Sequence, residues 1–258
     1  MQFHQIRSAT AIITCAGVRF LIDPMLSPKG AFPGFEGTPN AHLSNPTVEL
    51  PFSIEQILAV DAVIVTHVHP DHWDDTAKER IPKNKPLFAQ NERDQEYIRA
   101  AGFSDVRVLG EHGEYKGVTL IKTAGQHGSD AIMAVPPARE MLGEVCGVVF
   151  KHPDEKTMYL AGDTIWNSHV QQAIACYAPE VIILNAGDAQ ITGLGSIIMN
   201  KEDVLTVHRA APRATLIATH MEAVNHAMLS RGELRAFALE NKMSDCLLIP
   251  ADGETCEL

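Results

Sequence analysis

The sequence predicts an α/β fold, and two observations lead to this prediction. Short apolar runs typical of strands recur along the whole chain, and amphipathic stretches typical of helices lie between several of them. The chain has 258 residues, of which 45% are hydrophobic, so it can bury a sizeable core. No low-complexity linker or composition break interrupts the pattern, and we therefore expect one domain over residues 1–258.

The strand predictions rest on runs rich in β-branched and other apolar residues. These runs cover residues 11–14, 18–22, 62–66, 106–109, 118–122, 145–150, 157–161, 181–185, 214–219 and 246–249. Helices are expected over 93–101 and 201–210, where Asn91 and Asn200 are suitable N-caps. A third helix is expected over 230–241, because it opens with a Ser-x-x-Glu capping box.

Three stretches carry no regular pattern. Residues 24–51 are rich in proline and turn residues, and a loop of this length is usually functional or disordered. We interpret it as a cover that shapes a substrate pocket, the alternative being a surface loop without a catalytic role. Residues 135–143 are expected to be irregular and to form another wall or an oligomer contact, and 189–199 is a third candidate wall.

Potential metal ligands are concentrated in the segment 66–72, which reads THVHPDH and directly follows an apolar run. Side chains at positions i and i+2 of an extended segment point the same way, so His67 and His69 can bind one ion. The turn that follows presents Asp71 and His72 to a second position. Imidazole and carboxylate together suit zinc, and also iron or manganese. The alternative is a polar loop that is merely rich in histidine.

Three further residues of ligand type lie downstream, each close behind an apolar, strand-like run. They are His127, Asp163 and His220. Any one of them alone could be a satisfied core polar group or a helix cap. They form one site with residues 67–72 only if the fold brings the ends of their strands together.

This set of residues, in this order, resembles the metallo-β-lactamase superfamily, and the resemblance runs from residues 17–24 to residues 250–254. It implies a four-layer αββα sandwich, which periodicity alone does not establish. It also implies two metal positions. The first would be held by His67, His69 and His127, the second by Asp71, His72 and His220, with Asp163 bridging the two.

Within the superfamily the chain looks most like the branch that contains L-ascorbate-6-phosphate lactonase. The resemblance rests on Asp74 after His72-Trp73, on Gly162-Asp163-Thr164 and on Asn185-Ala186-Gly187. One departure is that members of this branch often carry a Gly-His segment on the first strands. The corresponding residues 6–10 of this chain contain no histidine.

Two residues outside the ligand set are candidates for supporting roles. Asp23 follows the run 18–22 as Asp163 follows its own, and it could accept a hydrogen bond from a ligand imidazole. The alternative for Asp23 is turn initiation before Pro24. His226 could bind substrate or donate a proton, and a surface or capping role is its alternative.

The composition of the chain limits which kinds of binding partner the protein is expected to have. The formal charge of −11 argues against a nucleic-acid partner, and thus against the superfamily's nucleases. The five cysteines contain no C-x-x-C pair, so no zinc ribbon or redox pair is expected. No apolar stretch of membrane-spanning length and no signal peptide is recognisable, which favours a cytoplasmic protein without a membrane partner. The resemblance also allows a homo-oligomer.

The resemblance predicts a metal-dependent hydrolase in which a hydroxide activated by two divalent ions attacks a small-molecule lactone or ester. Zinc is the first choice, with manganese or iron as alternatives. The expected catalytic carboxylates are Asp163, which bridges the ions, and Asp71, which passes a proton to the leaving alkoxide. The alternatives are a phosphodiesterase acting on a small phosphorylated molecule and a metal-binding protein without catalysis. No Gly-x-Ser-x-Gly motif offers a competing nucleophile.

Overall fold

The structure is a computed structural model that describes residues 1–258. Its strands are β1 (Gln2–Arg7), β2 (Thr10–Cys15), β3 (Val18–Ile22), β4 (Ala62–Val65), β5 (Leu87–Ala89), β6 (Val106–Val108), β7 (Gly113–Tyr115), β8 (Val118–Ala124), β9 (Cys146–Lys151), β10 (Met158–Leu160), β11 (Val181–Asn185), β12 (Gln190–Ile191), β13 (Gly195–Ser196), β14 (Thr215–Thr219), β15 (Leu247–Leu248) and β16 (Thr255–Glu257). Its helices are α1 (Ile54–Ile57), α2 (Asp75–Arg80), α3 (Glu92–Ala100), α4 (Asp130–Met133), α5 (Pro136–Leu142), α6 (Ser168–Tyr177), α7 (Lys201–Ala210) and α8 (Arg231–Glu240).

The strands form two seven-stranded sheets and one small hairpin. The first sheet has the order β16-β1-β2-β3-β4-β5-β6, and the second has the order β15-β14-β11-β10-β9-β8-β7. Strands β12 and β13 pair with each other alone. Both sheets mix parallel and antiparallel pairs: β3 to β6 run parallel, as do β10, β11, β14 and β15.

The core lies in three layers. Between the sheets, inward-facing side chains such as Phe20 and Ile64 of the first sheet pack with Phe150 and Ile183 of the second. The outer face of the first sheet packs against α1, α2 and α3, and that of the second against α6, α7 and α8. Helices therefore cover both outer faces, and the predicted four-layer αββα sandwich is confirmed. None of the helices combines the length and apolar character that crossing a membrane would require.

Most of the predicted elements are present, with ends that shift by a residue or two. The three predicted helices correspond to α3, α7 and α8, with Asn91, Asn200 and Ser230 as N-caps. The capping box at Ser230 is formed with Glu233. Strands β1, β5, β7 and β16 and the short hairpin were not predicted, because they are brief or polar.

The prediction of an irregular stretch over 135–143 was wrong, because Pro136–Leu142 forms helix α5. Both prolines lie in the first turn, where the missing N–H groups have no intrahelical partner to lose. Residues 24–51 contain no helix or strand, as predicted, apart from an isolated bridge between Phe32 and Asn45. Residues 189–199 contain the β12–β13 hairpin.

The topology gathers strand ends at one edge of the sandwich. In the second sheet β8 is antiparallel to β9, which is antiparallel to β10, so β8 runs in the same direction as β10, β11 and β14. In the first sheet β3 and β4 are parallel neighbours. The loops that follow these strands carry the ligand-type residues singled out in the sequence.

Candidate metal centre

The seven side chains proposed as ligands converge at this edge, and six of them are almost fully buried. His67, at 2% exposure, directly follows β4, and His220, at 0%, directly follows β14. His127 and Asp163 each lie three residues past the ends of β8 and β10. His69 is half-buried and faces the opening of the site. The fold thus brings together residues that are up to 153 positions apart in the chain.

The first group consists of His67, His69 and His127. One ring nitrogen of each lies within 4.8 Å of the others. Three converging imidazole nitrogens match the ligand set of many divalent metal sites. This is the grouping that the resemblance implied for the first ion.

The second group consists of Asp71, His72 and His220, whose ligand atoms also lie within 4.8 Å of one another. The Nε2 atoms of His72 and His220 are 3.1 Å apart. Asp71 Oδ2 lies 3.4 Å from His220 Nε2 and 3.8 Å from His72 Nε2.

Asp163 lies between the two groups. Its Oδ2 atom is 3.5 Å from the Nε2 of His127 in the first group and 3.1 Å from that of His72 in the second. Its Oδ1 accepts a hydrogen bond of 2.6 Å from Asn185 Nδ2, which fixes the orientation of the carboxylate. This position suits a carboxylate shared by two ions.

In each of the five imidazoles, the nitrogen that faces away from the cluster contacts another polar group. For three rings these contacts are His69 Nε2 with Met141 O at 3.0 Å, His127 Nδ1 with Ile197 O at 2.7 Å, and His220 Nδ1 with Ser8 Oγ at 3.0 Å. A ring nitrogen that meets a carbonyl must carry the proton, which leaves the other nitrogen of that ring with a free lone pair.

Asp23 orients the remaining two imidazoles. Its Oδ2 accepts hydrogen bonds from His72 Nδ1 at 2.9 Å and from the Thr66 hydroxyl at 2.7 Å. Because that hydroxyl donates to Asp23, its oxygen is free to accept from His67 Nδ1, 3.1 Å away. Asp23 thus acts on His72 directly and on His67 through Thr66. Outer contacts of this kind select the tautomer that binds metal.

The donor set of the cluster matches the needs of metal ions. His67 Nε2 is buried and has no hydrogen-bond partner in the protein, although an unpartnered buried nitrogen is costly. The Nε2 atoms of His72 and His220 face each other and two carboxylates. Cations at the centre of this arrangement would satisfy all of these atoms, so the residues present fit bound divalent metal.

The two groups differ in their electrostatics. Burial lowers the pKa of His127 to about 4, and burial together with neighbouring imidazoles lowers that of His67 well below its ordinary value. Burial also acts to lower the pKa of His220, but Asp163 and Asp71 outweigh it and raise this pKa to about 9. The pKa of His72 is raised in the same way. His67 and His127 are therefore neutral near pH 7, whereas His72 and His220 hold protons that a cation would replace.

A cavity of about 240 Å³ opens above the cluster, with His69, Asp71 and His127 in its floor. Its wall, named the cavity wall, is formed by residues 31–47, helix α5, residues 189–199 and His226. The apolar side chains of the wall are Phe35, Met141, Leu142, Ile191 and Ile197. No lysine or arginine lines the cavity, and Glu36 adds a negative charge at its rim.

His226 also lines the cavity, and its ring meets that of Phe35 edge-on, with centroids 4.9 Å apart. Its Nδ1 is buried without a hydrogen-bond partner. Burial lowers the pKa of His226 to about 4, so the ring is neutral near pH 7. His226 is not part of either ligand group, and its expected role in substrate binding stays a prediction.

Apart from Asp23, the residues that support the ligands were not predicted from the sequence. Ser8 and Thr66 are short hydroxyl side chains without a distinguishing motif, and Met141 and Ile197 act through their carbonyls, which any residue has. One signal was present: residues 6–10, marked by the missing histidine, supply Ser8 to His220 and Thr10 to the carbonyl of Asp23.

Similarity to known proteins shows the family to which the chain belongs. Residues 18–221 match the family model described as a β-lactamase superfamily domain. The chain belongs to this superfamily. A curated relative, the UPF0173 protein YddR of Bacillus subtilis, is 48% identical over 256 residues, which cover 99% of each chain. A UPF0173 metal-dependent hydrolase of Koribacter versatilis is 26% identical over 69% of this chain and 68% of its own.

Two solved structures are similar to this chain in both sequence and fold. An isothiocyanate hydrolase from Delia radicum gut bacteria is 47% identical, with a TM-score of 0.98 over 100% of this chain and 99% of its own. A possible metal-dependent hydrolase from Veillonella parvula is 46% identical, with a TM-score of 0.99 over the same shares. These similarities place the chain among metal-dependent hydrolases of this fold. The assignment to the lactonase-like branch stays a prediction.

Proposed function

We propose that the protein hydrolyses a small, uncharged molecule at an electrophilic carbon, and that an isothiocyanate is its first candidate substrate. The observation that carries this proposal is the cavity, whose wall is apolar and contains no lysine or arginine. Its volume of about 240 Å³ is below the roughly 300–1,000 Å³ typical of sites for drug-sized ligands. The isothiocyanate hydrolase at 47% identity over the whole chain supports the same substrate class.

We assign His67, His69 and His127 to one ion, Asp71, His72 and His220 to a second, and Asp163 to both. Zinc is the first choice and manganese or iron the alternatives, because all three accept imidazole and carboxylate. Two divalent ions bound there would supply an activated water and polarise the bond under attack.

The chain's own residues would position the substrate and move its protons. Hydrolysis of an isothiocyanate joins the oxygen of water to the central carbon and breaks the carbon–nitrogen bond. Both protons of water pass to the nitrogen, so the products are an amine and carbonyl sulfide. Asp71 lines the cavity, and although burial opposes it, the neighbouring His72 and His220 hold the pKa of this carboxyl below its usual range. Asp71 is therefore ionised and able to carry a proton from water to the nitrogen.

The cavity wall would hold the organic group of the substrate. Phe35, Ile191 and Ile197 offer apolar contacts, and burying an apolar substituent against them is favourable. With that group against the wall, the electrophilic carbon lies toward the floor, where Asp71 and the two ligand groups are.

A lactone or small ester is the second candidate. Its carbonyl carbon is attacked in the same way, and its leaving alkoxide takes the proton from Asp71. The apolar wall accepts such a molecule equally well. A phosphorylated substrate is less well supported, because apart from the two ions at the floor its negative charge would meet Glu36 and no cationic side chain. A protein without catalysis is also less well supported, because all seven residues assigned as ligands converge at one site.

The test uses the protein loaded with zinc or manganese, with metal-stripped protein as the control. Benzyl isothiocyanate, a δ-lactone, phenyl acetate and a phosphodiester are incubated separately, and products are identified by mass spectrometry. We expect metal-dependent release of benzylamine at a rate well above that of the stripped protein. Cleavage of the phosphodiester alone would overturn the proposal, and ring opening of the lactone without benzylamine release would favour the second candidate.

A further inference from the structure

The side chain of Asn225 is enclosed by the loop over residues 31–47. This loop closes on itself through two backbone hydrogen bonds between Phe32 and Asn45, at 2.9 and 2.7 Å. Asn225 belongs to a different segment, the turn between β14 and α8, and it is 2% exposed. A residue from one segment is thus buried within another.

Every hydrogen-bonding group of the Asn225 side chain is used on this loop. Its Oδ1 accepts from Phe35 N at 3.1 Å and from Asn45 Nδ2 at 2.8 Å. Its Nδ2 donates to Thr38 Oγ1 at 2.8 Å and to Pro39 O at 2.7 Å. An amide side chain has two donors and two acceptor lone pairs, so none is left over.

The side chain of Asn45 also accepts a hydrogen bond from the backbone of Asn225. Its Oδ1 accepts from the backbone N of Asn225 at 2.8 Å, and the side chain of Asn45 is fully buried. The two asparagines therefore form a reciprocal pair between the loop and the turn. Removal of either side chain would leave buried polar groups of the other segment without partners, which is costly.

This pair adjoins the cavity. Phe35 and Thr38, both bonded to Asn225, line it, and so does His226, the next residue in the chain. The Phe35 and His226 rings meet edge-on, with their centroids 4.9 Å apart. Asn225 itself does not line the cavity and makes no hydrogen bond to the residues of the two ligand groups.

We propose that Asn225 is a positioning residue that determines the size of substrate the enzyme accepts, by fixing Phe35, Thr38 and His226 as one rigid wall. The substrate class in this statement rests on the proposed function. A rigid wall presents a preformed apolar surface, so the organic group of the substrate is held without the cost of ordering the loop.

Other hydrogen bonds hold the loop over residues 31–47 in place. Substitution of Asn225 would therefore disorder only part of this loop. Thr47 donates from its backbone N to Ala223 O and from its hydroxyl to Glu222 O, and Gly37 O accepts from Thr192 N. These bonds, together with the Phe32–Asn45 pairing, do not involve the side chain of Asn225. Substitution of Asn225 would loosen the wall at Phe35 and Thr38 while the ends of the loop stay attached.

The kinetic test compares Asn225→Ala with wild type on methyl and benzyl isothiocyanate. We expect KM for the benzyl compound to rise about tenfold while kcat changes less than about threefold, because binding to the wall is lost but the reacting groups are not. The methyl compound makes little contact with the wall, so its constants should stay within about twofold. Metal content, measured by mass spectrometry, should not change.

Two further variants sharpen this result. Asn225→Asp keeps the acceptor bonds but turns a buried carboxylate oxygen toward Pro39 O, so its effect should be at least as large as that of Asn225→Ala. Asn40→Gly is the matched control, because exposed Asn40 also bonds to Asn225, through Asn225 O, yet lines no part of the cavity, and glycine tolerates its positive φ of 55°. An equal loss on both substrates, or loss of metal in Asn225→Ala, would overturn the proposal.

A binding measurement separates this proposal from the proposed function. Benzyl alcohol and methanol are titrated into the metal-loaded protein, and the methyl NMR signals of Ile191 and Ile197 report on the cavity. We expect benzyl alcohol to shift these signals in wild type and to bind at least about fivefold more weakly to Asn225→Ala. This result would support the role of Asn225 even if no isothiocyanate were turned over. Equal affinity of both proteins for benzyl alcohol, or no binding to either, would overturn it.

Discussion

The ligand cluster and the cavity wall are built in different ways. The cluster, formed by the two ligand groups and Asp163, lies at the ends of strands that are fixed by two sheets. Its rings are held by carbonyls, by Asp23 and by hydroxyl groups. The wall is formed largely by loops and is held by a reciprocal pair of asparagines. The difference indicates that reaction chemistry depends on the rigid sandwich, whereas substrate choice depends on loops that can vary without disturbing it.

Removal of a ligand should break the cluster and leave the wall intact. His127→Ala removes one of three imidazoles from the first group and creates no clash. We expect about a thousandfold loss of kcat/KM, in line with the several kcal/mol that bound metal contributes to catalysis. Metal content should fall by about one equivalent per chain, read by mass spectrometry. His112→Ala, at an exposed position outside the cluster, is the matched control. Full activity in His127→Ala would remove this residue from the site.

A change behind the ligands should weaken the cluster without removing a member. In Asp23→Asn an amide NH₂ can face His72 Nδ1 and force the proton onto Nε2, the atom that faces the cluster. We expect metal affinity or activity to fall about 10- to 100-fold, the usual effect of losing such a contact. Asp61→Asn is the control, since Asp61 also accepts from a backbone N–H and a side chain but lies far from the site. Unchanged metal affinity and activity would mean that Asp23 only initiates the turn before Pro24.

The two ligand groups should respond differently to pH. His220, with its pKa raised to about 9 by Asp163 and Asp71 against burial, must lose a proton to bind metal, whereas His127, with its pKa lowered to about 4, is already neutral. Zinc titrations between pH 6 and 8 should show one equivalent whose affinity depends only weakly on pH. The other should weaken by about tenfold per pH unit for each displaced proton as pH falls. The same pH dependence for both equivalents would contradict this difference.

In the metal-free protein the same two pKa shifts should make the free energy of unfolding depend on pH, in opposite directions. A pKa for His220 of about 9, against an ordinary value of 6.5, stabilises the fold below pH 6.5, and this contribution is lost as pH rises toward 9. His127 contributes above pH 6.5 and loses its contribution as pH falls toward 4. Urea unfolding across this range would measure both effects.

A change in the wall should have the smallest effect and alter only binding. Phe35→Ala removes an aromatic ring that contacts His226, and such pairs contribute about 0.5–1.5 kcal/mol beyond their buried area. We expect KM for benzyl isothiocyanate to rise about fivefold, with kcat and metal content unchanged. Phe32→Ala is the control, because Phe32 lies beside Phe35 but does not line the cavity. A fall in kcat without a change in KM would mean that Phe35 acts on the reaction itself.

The ligand-type residues of the cluster and the three loop segments of the wall could be predicted from the sequence, whereas the contacts that hold them in place could not. The spacing in 66–72 and the positions of His127, Asp163 and His220 behind apolar runs carry the ligand types directly in the residue letters. The contact of His69 with Met141 O has no such signal, since its partner is a backbone carbonyl. The pairing of Asn45 with Asn225 joins residues 180 positions apart. It depends on loop packing, which has no periodic pattern.

The elements of the fold also differ in how well they could be predicted from the sequence. Long apolar strands and capped helices were predicted closely, because periodicity and caps are local properties. Helix α5 was missed because its two prolines suggested a loop, although both lie in the first turn. Edge strands such as β16 were missed because three residues at the rim of a sheet carry too little pattern.

The most direct test of the proposed substrate class compares phenyl isothiocyanate with 4-carboxyphenyl isothiocyanate on the metal-loaded enzyme. Both carry the same reactive group, and each rate is divided by the rate of hydrolysis without enzyme. We expect kcat/KM for the uncharged compound to be at least about tenfold higher, because the carboxylate, held away from the ions at the floor by the phenyl ring, would enter an apolar wall beside Glu36 with no cationic side chain to pair with it. Equal rates, or a preference for the charged compound, would contradict an apolar wall that selects uncharged substrates.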